Sequence, residues 1–110
     1  MCDHHACAPI TVDHLYLERW VNQCFEMVTA IRRGLLSIEA LYRVTSPTLA
    51  RECILHAAIT PIKTYVKIQQ CKAEFLALCA EDPPALTGSV TTRDGQLRII
   101  GLQILPRRRF

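Results

Sequence analysis

The sequence predicts an α+β fold that is mainly helical, with two long helices and one short helix followed by a C-terminal β-hairpin. Three observations indicate this fold. Apolar residues recur at helical spacing from Leu17 to Cys79, an Asp-Pro-Pro run at 82–84 ends the helical pattern, and β-prone residues then flank an Asp-Gly pair at 94–95. We therefore expect a helical region followed by a small amount of β-structure.

The chain length of 110 residues fits a single domain. The first ten residues have no hydrophobic period, so we expect residues 1–10 to form an N-terminal Cys/His tail. The single α+β domain is expected over residues 11–110. We divide it into a helical part (11–82), a β-hairpin (85–105) and a basic tail (106–110).

The first long helix is predicted between Thr11 and Gly34. Thr11 or Asp13 can cap its start, because their side-chain oxygens accept hydrogen bonds from the free amides of a first turn. Arg32 and Arg33 place positive charge near the negative end of the helix dipole, and Gly34 readily adopts the left-handed conformation that ends many helices. The apolar stripe of this helix is Leu17, Trp20, Val21, Cys24, Val28, Ile31 and Leu35.

A short second helix is predicted from Leu35 to Val44, and a second long helix begins at Ser46-Pro47. Serine is a good cap, and proline at the next position has no amide proton that needs a partner. Pro61 should kink this long helix, because it removes one backbone donor. The apolar stripe runs through the kink and consists of Ile54, Ala58, Pro61, Tyr65, Ile68, Phe75 and Cys79.

The C-terminal hairpin is predicted over residues 85–105. Its two runs of β-prone residues are separated by Arg93-Asp94-Gly95-Gln96, and an Asp-Gly pair favours the positive φ angles of a tight hairpin turn. An isolated hairpin is only marginally stable. It must therefore pack on the helices or pair with a hairpin of another subunit, and its open edge favours the second arrangement.

Composition indicates a protein that self-associates. Half of the residues are hydrophobic and 21% are charged, which leaves apolar surface that the core of so short a chain does not absorb. We expect a homodimer or a larger oligomer. The N-terminus lacks the apolar run of an export signal, and no uncharged apolar segment reaches the ~18 residues of a membrane-spanning helix. A cytoplasmic or nuclear protein without a membrane partner is expected, with its six cysteines mostly reduced.

The N-terminal tail offers four potential metal ligands within six positions, namely Cys2, His4, His5 and Cys7. Thiolate and imidazole ligands suit zinc or copper, and His14, Cys24 or another subunit could complete a tetrahedral set. Removal of Met1 would allow a second arrangement, in which the free amine, two backbone amides and the His4 imidazole hold Cu(II) or Ni(II) in a plane. The spacing matches no established zinc finger, so a polar terminus without a metal is the alternative.

Basic residues are the candidates for nucleic-acid binding: Arg32, Arg33, Arg43, Arg51, Lys63, Lys67, Arg107, Arg108 and Arg109. The net charge of +3 is small, so the signal is local. Doubled in a dimer, these residues could follow the phosphates of duplex RNA or DNA with salt-sensitive affinity. The few aromatic residues lie mostly on predicted core stripes, which argues against stacking on single strands. The alternative is a solvated charged face with a basic tail that could also serve nuclear import.

No catalytic signature accompanies these features in the sequence. Four glycines are too few for a phosphate-binding loop, and Cys53 and His56 lie one helical turn apart without an oxyanion site. We expect a small non-enzymatic regulatory or accessory protein, similar in general character to viral accessory proteins, that self-associates and binds RNA. The alternative is an adaptor that zinc or copper stabilises at the tail and that binds another protein of the cell or of a host.

Overall fold

The computed structural model describes residues 9–56, 60–80 and 84–105, with the helices first and the strands after them. The helical part consists of α1 (His14–Arg32), a 3-10 helix (Ile38–Arg43) and α2 (Pro47–His56). The strands are β1 (Pro61–Gln69), β2 (Lys72–Cys79), β3 (Ala85–Arg93) and β4 (Gln96–Leu105). They form one antiparallel sheet in the order β1-β2-β3-β4.

Helix α1 has a well-defined start and end. The Asp13 carboxylate accepts a hydrogen bond from the Tyr16 amide at 2.7 Å, which caps the first turn. Gly34 follows the last turn with a φ of +78°, and its amide donates to the Ile31 carbonyl at 3.0 Å. The buried side chains of α1 are Leu17, Val21, Cys24, Phe25 and Val28. Within the described residues, no helix is long and apolar enough to span a membrane.

The predicted fold class is wrong in the middle of the chain. A four-stranded sheet stands where a second long helix and a single hairpin were expected, so the helical part does not extend over residues 11–82. Helix α2 is a short element that ends at His56. Pro61 begins β1 and does not kink a helix; the first residue of a strand is one of the few places where a sheet tolerates proline. The predicted short helix is also shorter, since the 3-10 helix covers only Ile38–Arg43.

Strand β1 forms because its apolar residues also have a period of two. Thr64, Val66 and Ile68 point to the packed side of the sheet, and the residues between them are exposed. The turn to β2 is made at Gln70, whose φ of +48° is unusual for a residue other than glycine. The helical stripe and the strand alternation thus compete in this segment, and packing against α1 favours the strand.

The β3–β4 turn lies at Asp94 and Gly95, where the sequence contains its Asp-Gly pair. Both residues have positive φ angles, +53° and +77°. The strands on either side pair from Arg93 with Gln96 to Ala85 with Leu105. In this structure the hairpin is the second half of a continuous sheet, since β3 also pairs with β2.

The helices cover one face of the sheet, which we call the inner face. Phe25 of α1 packs edge-on against Phe75 of β2, with ring centroids 6.0 Å apart. The Thr64 hydroxyl donates to the Asn22 side chain at 2.6 Å and so links β1 to α1. Gly88 lies under the Phe75 ring, and a Cβ at this position would collide with that ring. The inner-face residues that are buried are Thr64, Ala73, Phe75, Ala77, Leu86, Val90 and Ile99.

The two edge strands of the sheet differ in their neighbours. At the β4 edge, the Ile99 amide donates to the Val44 carbonyl at 2.6 Å, and the Thr45 hydroxyl donates to the Ile99 carbonyl at 2.7 Å. Thr45 therefore forms a parallel bridge with β4 and is fully buried. At the β1 end of the sheet, the Ile10 amide donates to the Gln70 carbonyl at 2.8 Å.

Candidate nucleic-acid interface

The second face of the sheet, which we call the outer face, has no helix packed on it among the described residues. Strand alternation decides which side chains it carries, because residues one position away from the buried ones point to the opposite side. On β1 these residues are Lys63, Tyr65, Lys67 and Gln69, all of which are exposed. The β1 part of the outer face therefore combines charged and aromatic side chains that are all exposed.

Lys63, Tyr65 and Lys67 form the basic edge of this face. The Tyr65 side chain is 50% exposed, and the Lys63 ammonium lies 5.7 Å from the centre of its ring, within the range of a cation–π contact. On β2, Glu74 is the cross-strand partner of Lys67, so one carboxylate lies among these cations. The basic edge thus offers one exposed ring between two ammonium groups.

A hollow of about 610 Å³ extends from this edge across the outer face. Its lining includes Tyr65, Lys67, Glu74, Leu76, Thr87, Ser89, Gly101 and Gln103. A Cβ at Gly101 would sit 3.8 Å from the Ser89 side chain, an ordinary contact, so this part of the lining would also accept a small side chain. The hollow has the size of a small-ligand pocket but is open to solvent on one side.

The far side of the hollow is polar and uncharged. Thr87, Ser89 and Gln103 come from the adjacent strands β3 and β4, in which Thr87 pairs with Gln103 and Ser89 with Gly101. In the part of the chain that the structure describes, none of these three side chains hydrogen-bonds another protein group. Their hydroxyl and amide groups can each donate and accept, so they are available to a polar ligand.

The predicted basic residues do not gather on one surface. Lys63 and Lys67 lie on the outer face. They share one side of strand β1, whereas the sequence predicted that they share one side of a helix. Arg32 and Arg33 at the end of α1 and Arg51 on α2 are exposed in the helical layer, which packs on the other side of the sheet. The Arg32 guanidinium donates to the Ile54 carbonyl, so it joins the ends of α1 and α2.

Arg43 lines a second, smaller hollow of about 370 Å³ beside the β3–β4 turn. Tyr16 and Trp20 of α1 contribute aromatic surface to it. Arg98, which the sequence analysis did not select, donates from its guanidinium to the carbonyls of Tyr42 and Arg43 at 3.1 and 3.5 Å. This arginine therefore fixes the end of the 3-10 helix. Arg107, Arg108 and Arg109 lie outside the described residues.

The candidate metal ligands Cys2, His4, His5 and Cys7 also lie outside the described residues, and the metal prediction stays a prediction. Among the residues that are described, no three His, Cys, Asp or Glu side chains come together in a way that could hold a metal ion. Two further ligands were considered, His14 and Cys24. His14 is the first residue of α1, and Cys24 is one of the buried residues of that helix.

Three of the described cysteines are free thiols that favour the protonated form. Burial raises the pKa of Cys24 to about 12, with the neighbouring Cys53 as the second cause. Burial, followed by the charge of Glu52, raises the pKa of Cys53 to about 11. Burial also raises the pKa of Cys79. None of the three is an activated thiolate at neutral pH. Cys71 is disulfide-bonded, and the expectation that the six cysteines are mostly reduced stays a prediction.

Tyr65, Thr87, Ser89, Gly101 and Gln103 are the outer-face residues that the sequence analysis missed. Tyr65 was assigned to a buried helical stripe, and it becomes an exposed residue once the segment is a strand. The alternation of Thr64, Val66 and Ile68 was the signal that could have revealed this. In comparisons with known proteins, no protein-family model, no curated protein and no solved structure matches the chain.

Proposed function

We propose that this protein binds single-stranded RNA on the outer face of its sheet, as a small non-enzymatic regulatory protein. The observation that supports this function best is the basic edge, where an exposed Tyr65 ring lies between Lys63 and Lys67 beside an open hollow. Proteins that bind single strands combine aromatic rings, on which bases stack, with cations that contact the phosphates. The basic edge contains both groups on one strand.

The spacing of the basic edge fits one nucleotide step. A base stacked on Tyr65 would enter the hollow, and its phosphates would lie toward the two lysines. The Lys63 ammonium is 5.7 Å from the ring centre, so a phosphate bound there is within reach of a base on the same ring. Both lysines are exposed and free to move toward a phosphate.

The polar side of the hollow would contact a nucleotide next to the one that stacks on Tyr65. Thr87 and Ser89 lie two strands from Tyr65 and Gln103 three, about 10 and about 14 Å away at about 4.8 Å per strand. Sequence-specific RNA recognition uses unstacked bases whose edges hydrogen-bond to such groups, with the 2′-hydroxyl as a further contact.

A single strand fits the distribution of charge better than the duplex that the sequence suggested. Arg32, Arg33 and Arg51 belong to the helical layer, and Lys63 and Lys67 to the opposite side of the sheet. A duplex needs cations along one extended surface, because its affinity depends on the number of phosphates that are neutralised. One aromatic ring with two lysines neutralises few phosphates but can stack a base.

The proposal is tested by fluorescence anisotropy with a labelled single-stranded RNA of roughly 12 nucleotides, within the usual size range of single-strand sites, and with the same sequence as a duplex. We expect the single strand to bind more tightly than the duplex. Tyr65→Ala should weaken single-strand binding by roughly 10-fold, because base stacking contributes about 1–3 kcal/mol.

Tyr42→Ala is the matched control, since Tyr42 is an exposed tyrosine of the 3-10 helix away from the outer face. It should leave the affinity unchanged. Tighter binding of the duplex, or equal losses in Tyr65→Ala and Tyr42→Ala, would overturn the proposal.

A further inference from the structure

The β1 edge of the sheet carries several features that prevent pairing with another strand. Pro61 begins the strand, and the register with β2 shifts between Pro61 and Lys63. Lys63 and Lys67 add charge along the same strand. Natural proteins use proline, irregular register and lysine on edge strands to avoid association through the free backbone groups. The β1 edge is therefore protected.

The β4 strand has one such irregularity, a shift of its register with β3 at Ile100, and its residues 101–105 then pair in regular register. Residues 99–105 read Ile-Ile-Gly-Leu-Gln-Ile-Leu, without a charge or a proline. Ile100 is 48% exposed, and Leu102, Ile104 and Leu105 are partly exposed. An uncharged apolar edge strand is the type of edge that adds another strand.

The β4 edge already accepts one neighbour at its start. Ile99 exchanges hydrogen bonds with Val44 and Thr45 through the parallel bridge described above. Beyond that bridge, no backbone group within 9–56, 60–80 or 84–105 bonds residues 100–105 from outside the β3–β4 ladder. The free edge in regular register, residues 101–105, measures about 17 Å at ~3.4 Å per residue.

The absence of charge on the second half of β4 allows this strand to pair with the same strand of a second copy. In a two-fold symmetric antiparallel pair, each residue faces the same segment of the other copy. Residues 101–105 would place no like charges opposite each other, whereas β1 would bring lysine close to lysine. The partly exposed Leu102 and Ile104, which lie on the inner face, would meet their counterparts and extend the apolar layer of both copies.

We infer that residues 101–105 of β4 pair antiparallel with the same residues of a second copy of this chain, giving a dimer with a continuous eight-stranded sheet. The two-fold axis lies perpendicular to the sheet near Gln103, so both outer faces are on the same side of the dimer. The inference does not depend on RNA binding, because it concerns the backbone edge and not the outer face.

Sedimentation velocity of the full chain over a range of micromolar concentrations tests this inference. The parent should form a dimer. Gln103→Lys, at an exposed position of β4, should weaken dimerisation at least roughly tenfold, since like charges then meet across the new pair. Ile100→Lys should act in the same direction. The matched controls are Gln69→Lys and Ile62→Lys, which place the same charges at exposed positions of β1 and should leave the dimer intact.

Hydrogen exchange of the parent gives a readout that needs no variant. Amides within residues 101–105 should become more protected as the protein concentration rises, and amides of β1 should not change. A parent that stays monomeric, or a dimer that the β1 variants weaken as much as the β4 variants do, would overturn the inference. A dimer whose β4 amides show no concentration dependence would also overturn it.

Discussion

The inner and outer faces of the sheet are built from the same strands but carry different side chains. On β1, Thr64 is 4% exposed and bonded to α1, and the next residue, Tyr65, is 50% exposed. On β2, Phe75 is buried against Phe25 while its neighbour Glu74 is exposed. The alternation of side chains along each strand thus places the residues that stabilise the fold on the inner face, and the outer face stays exposed to solvent and to a ligand. Substitutions on the two faces should therefore affect different measurements.

The largest effect is expected for Phe75→Ala on the inner face. It removes the ring that packs on Phe25 and covers Gly88, and it leaves a cavity between α1 and the sheet. We expect a loss of about 3–5 kcal/mol in the free energy of unfolding, measured by chemical denaturation. Phe75→Leu keeps more of the volume and should lose less. A loss under about 1 kcal/mol would show that the inner face is not the source of stability.

The next largest effect is expected for Thr64→Val, which keeps the shape of the side chain but removes the hydroxyl. The Asn22 oxygen then loses its donor in a part-buried position, at a cost of about 1 kcal/mol in the free energy of unfolding. Thr87→Val makes the same change on the outer face, where the hydroxyl has no described partner, and should change stability by less than about 0.5 kcal/mol. Equal losses in both variants would remove the distinction between the faces.

A third effect concerns the thiols beneath the inner face. The folded pKa values of Cys24 and Cys53 are about 12 and about 11, above the ordinary value of 9.0. The folded state therefore retains these protons while the unfolded state loses them, so stability is constant well below pH 9 and falls as the pH rises from about 8 toward 11. We expect a loss of about 1 kcal/mol per thiol between pH 8 and pH 10, measured by denaturation. Cys24→Ala with Cys53→Ala should flatten this dependence, and an unchanged slope in that variant would assign it to other groups.

The smallest effect on stability is expected for Lys63→Ala combined with Lys67→Ala on the outer face. The free energy of unfolding should change by less than about 0.5 kcal/mol, because both side chains are exposed. The salt dependence of RNA binding should flatten by up to about 1.4 in slope, at ~0.7 per phosphate contact of a single strand. Arg33→Ala with Arg51→Ala removes the same charge from the helical layer and should leave the slope as it is. A slope that responds to the arginines and not to the lysines would place RNA on the helices.

The two halves of the chain differ in how far the sequence determined their structure. Asp13 and Gly34 mark the start and the end of α1, and Asp94-Gly95 marks the β3–β4 turn. These residues have strong local conformational preferences. The β1–β2 segment has no such signal, since its turn uses Gln70 at positive φ. Its residues 73–78, Ala-Glu-Phe-Leu-Ala-Leu, are good helix formers in isolation. Contacts with α1 and β3 favour the strand over a helix in this segment, and a single sequence does not show those contacts.

The candidate site was predictable only in part, for the same reason. Lys63 and Lys67 are four residues apart, a spacing that puts two side chains on one face of a helix and of a strand alike. Tyr65 lies between them and shares their face only in a strand. The hollow is lined by Gly101 and by residues of β3, which the sheet brings together from distant positions. No local pattern in the sequence could predict that arrangement.

Binding of RNA to the outer face can be followed residue by residue with backbone amide NMR during titration with single-stranded RNA. We expect shift changes to concentrate on alternate residues of the sheet, at Lys63, Tyr65 and Lys67 and at Thr87, Ser89 and Gly101. Residues of α1 and α2 should shift little. Changes concentrated around Arg32 and Arg51, or in the hollow lined by Tyr16, Trp20 and Arg43, would contradict the account, as would a spectrum that RNA leaves unchanged.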